Sequence, residues 1–144
     1  MRKKINYAIG VDLGGTNIVA GLVSSRGKVI FREKIKTLSH LGVRSVLNKI
    51  AEAISLVLCK SGDKRRLIKG IGIGAPGLVD HIKGIVREPP NFPCWDEVNL
   101  KIWMEKKFKI PTYIANDANA YGVGEHTFGA GKGVDSMVCL TLGT

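Results

Sequence analysis

Cysteine, proline and aromatic residues are scarce in this chain, and acids are outnumbered by bases, 12 Asp and Glu against 22 Lys and Arg in 144 residues. The three cysteines, Cys59, Cys94 and Cys139, are odd in number and far apart, with no CxxC pair and no His at ligand spacing. That excludes a readable disulfide framework or zinc site and fits a reducing cytoplasm. Long hydrophobic runs are missing too. Nothing approaches the ~20 residues that cross a bilayer, and the basic start MRKKINYAIG lacks the apolar stretch of a signal peptide. The expectation is a soluble, cytoplasmic protein with no membrane partner. The net charge of +10 invites a nucleic-acid reading, but the basic groups at 2–4, 64–66 and 106–109 are short, separate and not interleaved with exposed aromatics. No nucleic-acid partner is expected, and the charge is read as solvated or as offset by an anionic ligand.

What the chain has in plenty is glycine. Eighteen glycines exceed the usual share of about 7%, and most fall in three clusters, 10–15, 70–77 and 122–133. Around them the hydrophobic pattern changes period. YAIGV, IVAGLVS and KVIFREKIK alternate as strands and predict a three-stranded meander with turns at 14–15 and 25–27. Val43, Val46, Leu47, Ile50, Ile54, Val57 and Leu58 recur at helical spacing, which predicts an amphipathic helix over 43–60 stopped by Gly62. LIKGIGIGA reads as a buried strand closed by a Pro76-Gly77 turn, and LVDHIKGIVRE as a small hairpin. A helix with Leu100, Trp103, Met104 and Phe108, a strand TYIAN, a small-residue helix after Asp117 and a strand SMVCLTLG complete the order. That order implies an α/β domain, a mixed sheet with flanking helices.

Three places carry chemistry. In DLGGTN, Gly14-Gly15 signals a hairpin turn whose positive φ glycine tolerates, yet Asp12 and Thr16 bracket the glycines as a phosphate site would require. Bare backbone N–H groups face phosphate, a hydroxyl adds a bond, and a carboxylate sits where magnesium would bind. GIGAPG at 72–77 formally matches GxGxxG, but Pro76 stands where a helix should begin, so a dinucleotide fold is rejected. Asn116-Asp117 joins a strand to a helix, where Asp117 caps the helix and can also act as a general base in the crevice at the strand ends. In REPPNFPCWDEVNL three prolines fix an extended loop around Trp95 and present Asn91, an amide suited, like Asn116, to reading sugar hydroxyls.

Together, DLGGTN at 12–17, GIGAPG at 72–77, PNFPCWDEVNL at 90–100 and IANDANAYGVGE at 114–125 resemble the bacterial glucokinase-like sugar kinases of the ROK family, over all 144 residues. The resemblance implies an actin-like, ribonuclease H-like ATPase fold that transfers the γ-phosphoryl group of ATP, with Mg2+, to a hexose hydroxyl, glucose giving glucose 6-phosphate. It implies Asp117 as catalytic base, Asp12, Gly14, Gly15, Thr16 and Asn17 as the first phosphate motif with Asp12 toward magnesium, and Gly74, Asn91, Asn116 and Asp117 in the sugar pocket. TLGT at 141–144 looks like the start of a second phosphate motif, Thr141, Gly143 and Thr144. Residues 1–134 are then the N-terminal domain of a two-domain kinase and 135–144 the first strand of the next. Many relatives carry Lys where this chain has Asn17, which removes a cationic contact to phosphate. The adenosine pocket, further sugar ligands and a structural zinc site of the family lie past Thr144, and the complete family protein is a homodimer. A sugar-sensing repressor of the same family is the alternative, but the first strand begins near residue 5 and leaves no helix-turn-helix ahead of it. A non-catalytic actin-like assembly ATPase would not call for the rigid Asn91 loop.

Overall fold

The structure, a computed structural model, describes residues 5–142. The expected meander forms as β1 (Tyr7–Leu13), β2 (Asn17–Ser24) and β3 (Val29–Lys36). Register runs antiparallel from Tyr7↔Ser24 to Leu13↔Ile18 between β1 and β2, and continues with Asn17↔Lys36 between β2 and β3. Helix α1 (Val43–Lys60) occupies the span its spacing predicts. Gly62 follows it with φ +52, a left-handed backbone that suits glycine at a helix end. Next come β4 (Ile68–Ala75), the hairpin β5 (Leu78–Asp80) and β6 (Ile85–Arg87), then β7 (Glu97–Asn99), α2 (Leu100–Phe108), β8 (Thr112–Asn116) and α3 (Asp117–Phe128). Strand β4 lies parallel to β1, and β8 parallel to β4, so the main sheet has the order β3-β2-β1-β4-β8.

Side chains alternate across a strand, and here the alternation separates two unlike faces. One face carries Ile9, Val11 and Leu13 of β1, Ile18, Ala20 and Leu22 of β2, Ile71, Ile73 and Ala75 of β4, and Ile114 of β8, all buried. Helix α1 packs on β1, β2 and β3 with Ile50, Ile54 and Val57 fully buried, and α2 adds Leu100 and Met104 to the same core. Each such aliphatic side chain contributes about 1.5–3 kcal/mol by leaving water. The opposite face carries the glycines. Gly21 of β2, Gly10 of β1 and Gly72 of β4 are register partners, a row of three bare positions flanked by Arg32 and Tyr113.

Three features depart from the sequence pattern. Residues 97–99, read as part of a loop, pair with β6 through Val86↔Val98 and complete a second, three-stranded sheet β5-β6-β7. Three residues show no periodicity of their own, so the pairing alone makes them a strand. Conversely, SMVCLTLG is not a strand over its described part. Residues 136–142 are irregular, and Val138, Leu140 and Leu142 are 88%, 81% and 97% exposed. A strand needs a neighbour to take its N–H and C=O groups, and among the described residues none pairs with this segment. Helix α3 is also less packed than its small residues suggest: none of its residues is buried, and a Cβ on Gly124 would meet nothing within 4 Å. Among the described residues no helix is long and apolar enough to cross a membrane.

Candidate functional site

The β1–β2 connection is closed by the Gly14 N–H, which donates to the Asn17 carbonyl at 3.1 Å. Gly14 and Gly15 do not have the positive φ expected of them; among the described residues the positive-φ glycines are Gly27, Gly42, Gly62, Gly77, Gly84 and Gly133. They are bare for want of space instead. A Cβ on Gly14 would sit 2.8 Å from the Asn17 carbonyl oxygen, and one on Gly15 would sit 3.0 Å from the Asn91 Cβ. Among the described residues no acceptor takes the Gly15 or Thr16 N–H. The sequence reading missed Thr37, which is fully buried behind this loop. Its hydroxyl donates to the Gly14 carbonyl at 2.6 Å, and its N–H to the Thr16 carbonyl at 3.0 Å. The signal was available in the register: once Lys36 faces Asn17, the next residue falls beside the loop.

Asp12 and Asp117 lie on either side of one glycine. Asp12 is the register partner of Gly74, and a Cβ on Gly74 would lie 3.5 Å from the Asp117 Cα and 3.6 Å from the Ala120 Cβ. The bare position lets the start of α3 approach β4. Capping falls to Asn116, not Asp117: the Asn116 Oδ1 accepts the Asn119 N–H at 3.3 Å and its Nδ2 donates to the Gly77 carbonyl at 3.2 Å. Asn116 has the extended backbone of an N-cap, whereas Asp117 is already helical. Asp117 Oδ1 accepts the Ala118 N–H at 2.8 Å, which leaves its other oxygen available. Partial burial, and then the nearby Asp117 charge, push the Asp12 carboxyl above its ordinary value.

The proline-rich loop is pinned as expected. Trp95 is buried, its Nε1 donates to the Val86 carbonyl at 3.1 Å, and its ring meets Phe92 edge to face at 5.5 Å. Asn91, at φ +66, is exposed and lies against Gly15, so the structure joins the loop carrying the amide to the glycine loop. Asp12, Gly74 and Asp117 line a groove of about 860 Å³ that continues along the glycine face of the sheet beneath Tyr121 and Glu125 of α3. Asn17 begins β2 at the far side of the glycine loop. Thr141 is exposed in the irregular segment after α3 and does not line this groove, and Gly143 and Thr144 lie outside the described residues.

The carboxylates suit magnesium. Among the described residues no group of three or more His, Cys, Asp or Glu could hold a metal, so an ion here would draw on Asp12, with Asp117 close by, and complete its shell with phosphate and water oxygens. Mg2+ is commonly bound in that way. An opposite charge would also offset the burial and the Asp117 charge that raise Asp12.

A glucokinase of Thermotoga maritima is 45% identical over 136 residues, which are 94% of this chain and 41% of that protein. A xylose repressor of Caldicellulosiruptor bescii is 33% identical over 143 residues, 99% of this chain and 36% of the repressor. Among solved structures, a ROK family glucokinase from Streptomyces griseus in complex with glucose and AMPPNP superposes with a TM-score of 0.79 at 34% identity, over 89% of this chain and 38% of that one. The chain thus spans about two-fifths of the relatives it matches. Its mixed sheet with flanking helices is the actin-like ATPase fold of those sugar kinases. The ROK family model matches residues 8–144, and with a site built from the same stretches that suggested it, the chain belongs to the ROK family.

Proposed function

We propose that this chain supplies the phosphate loop and the sugar-facing wall of an ATP-dependent hexose kinase, with glucose as substrate. The observation that carries the reading is the placement of Asp12 and Asp117 around Gly74, near the C-terminal ends of parallel strands and beside a loop with unengaged amides. The Gly15 and Thr16 N–H groups take phosphate oxygens. Asn91, held against the loop, and the remaining capacity of the Asn116 amide bind sugar hydroxyls. Asp117, anchored through one oxygen, accepts the proton of the attacking hydroxyl with the other. A hexose oxygen–phosphorus bond forms, the bond from the γ-phosphorus to the bridging oxygen breaks, and ADP leaves. Asp12 would hold a magnesium ion, which would supply charge neutralisation on the phosphates. Residues 135–144, with Thr141, Gly143 and Thr144, then open a second domain and a second phosphate segment.

The test joins residues 1–144 to the part of the Thermotoga glucokinase that follows its matched region and assays ADP release with glucose. The hybrid should turn over, and Asp117→Asn should lower kcat by about 10²- to 10⁴-fold while the glucose KM stays within a few-fold. Equal turnover by both versions would remove Asp117 from the mechanism. A sugar-sensing repressor is the second reading, favoured by the similarity to the xylose repressor. It requires sugar binding without phosphoryl transfer, a role for which Asp12 and the glycine loop are superfluous.

A further inference from the structure

Thr37 comes from the end of a different strand, yet it holds the carbonyls on both sides of Gly15, that of Gly14 through its hydroxyl and that of Thr16 through its N–H. The peptide bonds here are trans, and in a trans peptide the C=O and the following N–H point in opposite directions. A Gly14 carbonyl drawn toward Thr37 therefore turns the Gly15 N–H away from Thr37. Similarly, the Thr16 carbonyl is withdrawn from the open side of the loop, where its negative dipole end would oppose an anion. Full burial of Thr37 leaves its hydroxyl no water to bond instead.

The geometry points to Thr37 as the positioning residue of the phosphate loop: its hydroxyl sets the direction of the Gly15 N–H and so tunes affinity for a polyphosphate without touching it. The inference rests on the reading of the loop as a phosphate site. It goes beyond packing, because a residue that only filled space would be replaced equally well by valine.

The experiment titrates the isotope-labelled 144-residue protein with tripolyphosphate in magnesium buffer and follows backbone amide shifts. Wild type and Thr37→Ser, which keeps the donor, should bind alike, with the Gly15 and Thr16 amides among the most shifted. Thr37→Val, nearly the same shape without the donor, should bind roughly tenfold more weakly, the scale of one lost hydrogen bond, with smaller shifts at those two amides. Thr37→Cys, a weak donor of similar size, should fall between them and carries the comparison if the valine variant does not fold. A purely structural Thr37 would lower the melting temperature of the valine variant and leave the dissociation constant of its folded form unchanged; that result overturns the inference while the functional reading stands. Absence of any shift at Gly15 and Thr16 in the wild type would overturn the phosphate-loop reading, and the inference with it.

Discussion

Asp12 shows at the level of one residue how a carboxylate sits in an environment that disfavours its charge. Its carboxyl is pushed above the ordinary 3.8, first by partial burial and then by the Asp117 charge. Because the folded state holds this proton more tightly than the unfolded chain, stability falls as pH rises from 3.8 through the elevated folded value. Asp12→Asn removes the charge and should therefore raise the melting temperature at pH 7. The gain should vanish below 3.8, where both states are protonated. Thermal melts of the two proteins across that range check the sign, and a variant that is less stable at neutral pH would refute it. Phosphate binding with magnesium should weaken in the same variant, since sites built for a ligand commonly forgo stability.

At the scale of elements, the main sheet is asymmetric: one face is aliphatic and covered by α1, and the other is bare along Gly21, Gly10 and Gly72. Glycine inside a strand costs about 0.5–1 kcal/mol relative to alanine through lost backbone freedom. A Cβ on Gly72 would meet nothing within 4 Å, so in this chain the position is not bare because of crowding. Gly72→Ala should hold or raise stability, by up to about 1 kcal/mol in urea unfolding. Gly21 differs, because its Cβ would lie 3.1 Å from the Phe31 carbonyl oxygen. A clear loss of stability on Gly72→Ala would show that the groove face is closed in solution.

For the whole molecule, the decisive fact is that the chain covers 41% of the Thermotoga glucokinase and 38% of the Streptomyces griseus one. Among the described residues Asp12, Gly74 and Asp117 line the groove, and α3 stands beside it without a buried residue. In-line phosphoryl transfer requires both reactants to be held in register, and under the proposed function this chain supplies only the phosphate loop and the sugar-facing wall. The 144 residues by themselves should therefore show no sustained ATP-dependent phosphorylation of glucose. A coupled assay, with contaminating kinase excluded by a parallel Asp117→Asn preparation, checks this. Turnover by the monomer that disappears in that preparation would place the whole catalytic apparatus within this chain.

Local periodicity was enough to define several elements, and residue type was enough to single out the stretches read as a site. Alternation defined β1 to β3, seven apolar residues at helical spacing defined α1 as Val43–Lys60, and Asp12, the glycine pair, Asn91 and Asn116-Asp117 stood out through their combination, although a hairpin turn, a helix cap and a clamped linker account for the glycines, Asn116-Asp117 and Asn91 taken singly. The remaining features are relations between distant segments and arise only in the folded chain. The strand at 97–99 exists because β6 pairs with it, and 136–142 is no strand because nothing described does. Gly15 is bare because Asn91, far along the chain, takes the space, not because of its own dihedral angle. Asn116 rather than Asp117 caps α3, and Asp117 engages only one of its oxygens among the described residues. Thr37 carries no local signature at all. Its role follows from the register that brings residue 37 beside residues 14 and 16, and a hydrogen bond across that distance is written only by the fold.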